Sequence, residues 1–180
     1  AIAIGYQAGQ GTQSSSAVAI GLTAGQLVQG ESAVAIGEQS GKNTQSGFAV
    51  AIGSLAGSDN QQIAGIAIGS RAGTVNQGTK SIAIGEFAGY TTQSGYSIAV
   101  GVDAGRYVQK QSAIAIGQSA GVDNQDGYGI AIGFFAGSTN QQGNTVAIGY
   151  QAGQITQGIN SIAIGFNAGN DNQSSNSVAI

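Results

Sequence analysis

Apolar residues recur along this chain as one short motif. AIAIGYQAG, Ala1 to Gly9, returns as AVAIGLTAG at Ala17, as AVAIGEQSG at Ala33, and so on to SIAIGFNAG at Ser161. The glycine that ends AIAIG stands at every sixteenth residue from Gly5 to Gly165, without one insertion. Taking Ala1 as position one, position two is Ile or Val, position three is Ala and position four is Ile, with Val100 the exception. Position five is Gly, position eight is Ala apart from Ser40, and position nine is Gly. Position twelve is Thr, Val or Asn, and position thirteen is Gln from Gln13 to Gln173. Alternation of β-branched residues with Ala has a period of two, which predicts a strand over positions one to five. The glycines punctuate turns. No window carries helical periodicity, and a repeat this short is below the length of the common helical repeats.

The prediction is therefore an all-β, parallel β-solenoid with sixteen residues per coil and about eleven coils, residues 1–180 forming one repetitive segment. Equivalent strands pair ~4.8 Å apart. Its structural ladders are the columns beginning Ile4, Ile20, Ile36; Ala3, Ala19, Ala35; Gly5, Gly21, Gly37; and Gln13, Gln29, Gln45. Because the chain starts and stops inside the repeat, a longer fibrous protein is expected around it. The invariant Gln is expected to form an amide ladder, since an enclosed amide without partners is costly.

Charge placement adds the coil's cross-section. All thirteen charged side chains (five Lys and Arg, eight Asp and Glu) fall at positions six, seven, ten, eleven or fourteen to sixteen. The charge-free positions, one to five, eight, nine, twelve and thirteen, are expected to be the enclosed ones. Three outward clusters imply three bends per coil. A second strand is expected around positions eight to thirteen.

Strand one has no polar side. Ile and Val point one way, and Ala with the residue at position one points the other. A strand apolar on both faces is normally covered on both. One face should line the coil and the other should meet another chain, with Ile2 and Ile4 as one buried column pair and Ala3 as a second buried face. A homo-oligomer follows as an expectation.

Composition removes most chemistry. There is no Cys and no His, which leaves no nucleophile–base pair and no thiol chemistry, so no enzyme is expected and no cofactor or metal. Five scattered Lys and Arg cannot neutralise a phosphate track, so nucleic acid is not an expected partner. No run approaches the ~20 apolar residues of a membrane helix.

The stretches Gln157–Asn170 (QGINSIAIGFNAGN), Ser174–Ile180 (SSNSVAI) and Gly143–Gly153 (GNTVAIGYQAG) resemble the head repeats of trimeric autotransporter adhesins, the YadA-like group, whose signature is an NSVAIG-type strand followed by a small residue. Similar repeats occur in phage and viral fibres. The resemblance extends through the whole chain, although this unit is longer than is usual in that family and adds the invariant Gln. It implies a left-handed roll, three chains on a common axis, a location on the cell surface or outside the cell, and binding to host surfaces or glycans. A phage or viral tail-fibre shaft on a virion is the second function it implies.

Two further surfaces bear on function. Phe134, Tyr150 and Phe166 share position six in successive coils, with Phe135 beside Phe134, and form a candidate aromatic patch for a glycan or a partner. An ice- or carbohydrate-binding solenoid is the third class considered. The position-twelve column that would carry a threonine row reads Thr12, Val28, Thr44, Asn60, Asn76, Thr92, Val108, and is interrupted.

Overall fold

The structure is a computed structural model describing every residue, Ala1 to Ile180. It is all-β and contains no helix. Each coil contributes strand one at positions two to four, from Ile2–Ile4 to Val178–Ala179, and most add a short second strand ending at the invariant Gln, as in Thr12–Gln13 or Asp59–Gln61; the coil of Gln125 has only isolated bridges there. The first strands form one twelve-stranded parallel sheet in sequence order. Its register is that of the repeat, Ile2 opposite Val18, Ala3 opposite Ala19, Ile4 opposite Ile20. The second strands form a seven-stranded and a three-stranded sheet. Turns fall at positions five to nine and at fifteen and sixteen, and the chain bends again at eleven or twelve.

The interior is made of small residues. Ala19, Ala35, Ala51 and their equivalents at position three are fully buried, as are Ala24, Ala56 and Ala72 at position eight. Position one completes it with Ala17, Ser81, Ser97, Thr145 and Ser161. No Ile, Val, Leu or Phe is buried. The facing that the sequence left open for strand one is thereby decided. The Ile4, Ile20, Ile36 column and its position-two companion lie on the outside of the coil, and Ala3, Ala19 and Ala35 face inward. The physical reason is space. Ala at three opposes Ala at eight, and the glutamine side chain fills what remains, so the cross-section has no volume for a branched side chain. Position twelve is corrected: Thr12, Val28, Thr44 and Asn60 are exposed, not enclosed.

The glutamine is the largest fully buried side chain of each inner coil. Gln77 shows its bonding. Its Nε2 donates to the Ile66 carbonyl of strand one at 2.6 Å and to Gln93 Oε1 in the next coil at 3.4 Å, while Gln77 Oε1 accepts from Gln61 Nε2 at 3.0 Å. The amide thus ties the two sides of one coil together and links successive coils. The ladder is unbroken from Gln13 to Gln157.

Both invariant glycine columns follow from this packing. At position nine the backbone is left-handed, and a Cβ on Gly73 would sit 2.8 Å from the Gln77 amide. At position five φ is near +130°, as at Gly21, where a Cβ would meet the Gly37 carbonyl oxygen at 2.6 Å. Every turn also holds non-glycine residues at positive φ at positions seven and sixteen, including Leu55, Phe87, Phe48 and Tyr96. Such residues are disfavoured there by roughly 1–2 kcal/mol. The stack compensates by bonding their amides to the previous coil, as Phe48 N–H does to the Glu31 carbonyl at 2.8 Å.

Position twelve selects between two corner shapes. Asn60, Asn76, Asn124, Asn140 and Asn172 are left-handed, with φ of 50–58°, whereas Thr12, Val28, Thr44, Thr92 and Val108 are extended. Asparagine tolerates that region better than β-branched residues do. Neighbouring coils of like shape mostly pair at two positions, as Val75 with Asp59 and Gln77 with Gln61, the coils of Asn124 and Asn140 pairing only through Asp123 and Thr139. Where the shapes change, only the glutamines pair: Gln45 with Gln61, Gln77 with Gln93, and Gln109 with Gln125 as an isolated bridge. Thr156 departs from the rule, with φ 44° between coils that carry Asn140 and Asn172. Its neighbours impose their shape on a β-branched residue.

Two outcomes test these statements. Gln77→Ala leaves Gln93 Oε1 without its donor inside the coil, takes one acceptor from Gln61 Nε2 and one donor from the Ile66 carbonyl, and thermal or denaturant unfolding is expected to show a loss of about 2–5 kcal/mol. Thr156→Asn should instead raise stability by roughly 1 kcal/mol, because it relieves an unfavourable backbone conformation. An unchanged or lowered melting temperature for Thr156→Asn would refute the corner rule.

Candidate functional site

The inward turn of the alanines leaves an uninterrupted apolar face outside. Positions two and four contribute only Ile and Val, from Ile2 and Ile4 to Val178 and Ile180. In the middle of the rod Ile84, Ile116 and Ile148 remain 37%, 38% and 36% exposed even after packing against their neighbours along the column. Along each strand the alternation in–out continues past both ends, so position sixteen of the preceding coil and position six flank this face. Position-six residues are exposed throughout, from Tyr6 and Leu22 to Phe166, and position sixteen is exposed or half-buried. Aromatics concentrate on these two margins: Phe48, Tyr96 and Tyr128 on one, and Tyr6, Phe134, Tyr150 and Phe166 on the other.

The aromatic patch expected at Phe134, Phe135, Tyr150 and Phe166 is assembled. Phe134 and Tyr150 stack at 5.3 Å with their planes 15° apart, and Tyr150 and Phe166 stack at 5.0 Å and 9°. Phe135 meets Phe134 edge-on at 4.5 Å. Within this stack the ring faces cover one another. What is presented sideways is ring edges, which supports side chain packing over a platform on which a sugar face would lie.

A second cluster is not apparent until the coils are superposed. Arg71 and Arg106 both reach the Phe87 ring, at 5.3 and 4.7 Å, and Arg106 also lies 5.1 Å from the Tyr107 ring. Tyr90 meets Phe87 edge-on at 5.4 Å, and Asp103 pairs with Arg106 at 3.0 Å. These residues occupy positions seven, ten and eleven of three successive coils, so aligning the chain at its sixteen-residue period brings them into adjacent columns. The two arginines of the chain are thus used on an aromatic ring.

One polar groove of about 310 Å³ opens where the second sheet is divided, lined by Lys110, Asn124, Asp126, Asn140, Gln142 and Thr156. Asp126 accepts from the Gly127 N–H at 2.8 Å and pairs with Lys110 at 3.1 Å. Its carboxyl is held below the ordinary carboxylate range, first by the Gly127 N–H; burial opposes this, and the hydrogen bond and charge of Lys110 add to the lowering. No group of three or more His, Cys, Asp or Glu is placed to hold a metal ion. No helix is long and apolar enough to cross a membrane. No family model matches the chain, and no curated protein or solved structure is similar to it.

The lowered Asp126 carboxyl has a definite sign. A depressed folded-state value contributes stability above the unfolded range and loses it as pH falls through the folded value. Asp126→Asn should therefore flatten the acid limb of the stability curve between about pH 5 and pH 2. The effect is small, because the side chain is 45% exposed and screened by solvent. Thermal melts of both proteins across that range check it.

Proposed function

We propose that this protein is a non-enzymatic structural rod, a segment of an extracellular fibre or surface-adhesin head or shaft, whose copies pack together through the outer face of strand one. The observation that carries the reading is that face itself. Twelve strands at ~4.8 Å by roughly 15 Å of strand width give on the order of 800 Å² of almost purely aliphatic surface. That is near the ~800 Å² per partner of a standard protein interface, and above what monomeric soluble proteins usually expose as one patch. Ile and Val in two regular columns, with no charge among them, are the composition of a buried sheet face.

The YadA-like resemblance supplies the rest of the proposal: three copies around a common axis, displayed on a cell surface, with host surfaces or glycans as outside partners. The shape of the rod fits such a role. Its length is set by the number of coils, and its sides are free to vary, as the changing residues at positions six, seven, ten and eleven show.

The test is the mass of the soluble protein. Sedimentation equilibrium is expected to give three times the mass of the 17.6 kDa chain. Ile84→Glu with Ile116→Glu should reduce it to one chain while circular dichroism still reports β structure, because these side chains are outside the coil. A monomer at high concentration with the unmodified face would overturn the proposal.

A further inference from the structure

The groove beside the divided second sheet is a break in an otherwise regular rod. We infer that it binds a neutral sugar residue, held by the side-chain amides of Asn124, Asn140 and Gln142, the Thr156 hydroxyl and the paired Lys110 and Asp126. This rests on the part of the proposed function that gives the rod a glycan partner, and not on how copies pack.

The groove has a local cause. Corner shape changes three times along the rod, between Thr44 and Asn60, between Asn76 and Thr92, and between Val108 and Asn124. Only the last change leaves a groove. There the second sheet does not resume at once. Gln61 pairs with Gln77, Gln141 with Gln157 and Gln157 with Gln173, but no such pairing joins the Gln125 and Gln141 backbones. The Asn124 carbonyl accepts no backbone hydrogen bond, and the Asn124 N–H donates none. Backbone groups of this kind need a polar partner. Asn124 and Gln141 both line the groove.

The lining selects the class of ligand. No apolar side chain takes part in it, so an aliphatic or aromatic ligand would gain no matching contact. Lys110 and Asp126 pair at 3.1 Å, so an ion of either sign would meet its like charge beside the unlike one. A neutral polyol meets neither difficulty. Each hydroxyl both donates and accepts, and a primary amide offers an acceptor and a donor side by side. Asn124 Nδ2 reaches Asn140 Oδ1 only at 3.4 Å, whereas the equivalent pair, Asn60 and Asn76, closes at 3.0 Å. The looser pair is the one open to a hydroxyl. Both contacts of Asp126 are made through Oδ1, which leaves Oδ2 to accept. The volume of about 310 Å³ is at the small end of ligand pockets, roughly 300–1,000 Å³, and suits a single sugar residue better than a long segment of glycan. The aromatic ladder at Phe134, Tyr150 and Phe166 has its ring faces covered; the groove is where the rod can hold a sugar.

Saturation-transfer NMR of the whole chain with D-glucose, D-galactose, D-mannose and their methyl glycosides tests this. At least one is expected to bind, with a dissociation constant on the order of 1 mM. Binding of a methyl glycoside marks a residue of a glycan, and binding of the reducing sugar alone marks a free sugar; both support the site. Gln142→Ala and Asn140→Asp should each weaken binding about tenfold or more. Asp tolerates the left-handed corner that Asn140 occupies, and circular dichroism checks that both variants keep their β structure. Gln62→Ala, at the equivalent position beside the Asn60 corner, should leave binding unchanged. Binding of none of these sugars would overturn the inference. Tighter binding of glucuronic acid or glucosamine than of every neutral sugar would overturn the ligand class. Sugar binding that survives both groove variants would overturn this site while leaving the rod a glycan partner elsewhere. Failure of the copies to assemble shows in the mass of the protein and touches none of these results.

Discussion

One buried amide crosses the interior of every coil. The position-thirteen side chain donates to the position-two carbonyl on the far side, as Gln45 does to Val34 at 2.7 Å, and to the next glutamine along the rod. The geometry of the solenoid is set by that reach. The two sides of the coil can be no farther apart than one glutamine spans, and no insertion is tolerated, because it would move an amide out of reach of its neighbours. The position-nine glycine is required because the amide lies where a Cβ would be. A core lined by Ala, Ser and amide nitrogen and oxygen contributes less apolar burial than a conventional one, so order comes chiefly from hydrogen bonds, 122 of them along the backbone alone.

The narrow core has an outward consequence. A strand that alternates Ala with Ile or Val must put one set inside, and only the alanines fit. The larger apolar side chains, which in most domains form the core, are displaced to the surface in two columns. The coil is in this sense inverted, with polar amides within and aliphatic side chains without. The burial that the single coil lacks is left available on that outer face.

The period, the parallel pairing, the Gln ladder from Gln13 onward and the turn glycines were legible in the sequence, because each depends on identity repeated at fixed spacing. The facing of strand one was not, since both parities of its alternation are apolar and hydrophobicity alone cannot choose between them. Volume could have chosen. Ala at three, Ala at eight, Gly at nine and an enclosed Gln together leave no room for Ile4 or Ile20. Position twelve misled because the absence of charge was taken for enclosure. Thr12, Val28 and Asn60 are exposed, and what their column records is backbone shape, Asn marking the left-handed corner. The aromatic ladder at Phe134, Tyr150 and Phe166 could be read from one column. The Arg71–Phe87–Arg106 cluster could not, since it combines three columns across three coils.

Regularity creates a problem that the variable positions solve. A rod whose face repeats every coil can slide along a copy of itself in steps of one coil at almost no change in aliphatic contact. Nothing inside the coil can prevent this, because the interior repeats as strictly as the face. Positions six and sixteen are among those where the repeat differs, and they lie beside the face, not on it. Lys80, Glu86, Tyr128 and Phe134 therefore mark single coils as distinct beside the aliphatic columns without disturbing the amide ladder. The same logic places Lys42, Asp59 and Lys110 elsewhere on the surface, where solvent accepts them at no expense to the stack. Apart from the small residues of position one, variation in this chain falls on what faces outward, and part of it borders the Ile/Val columns.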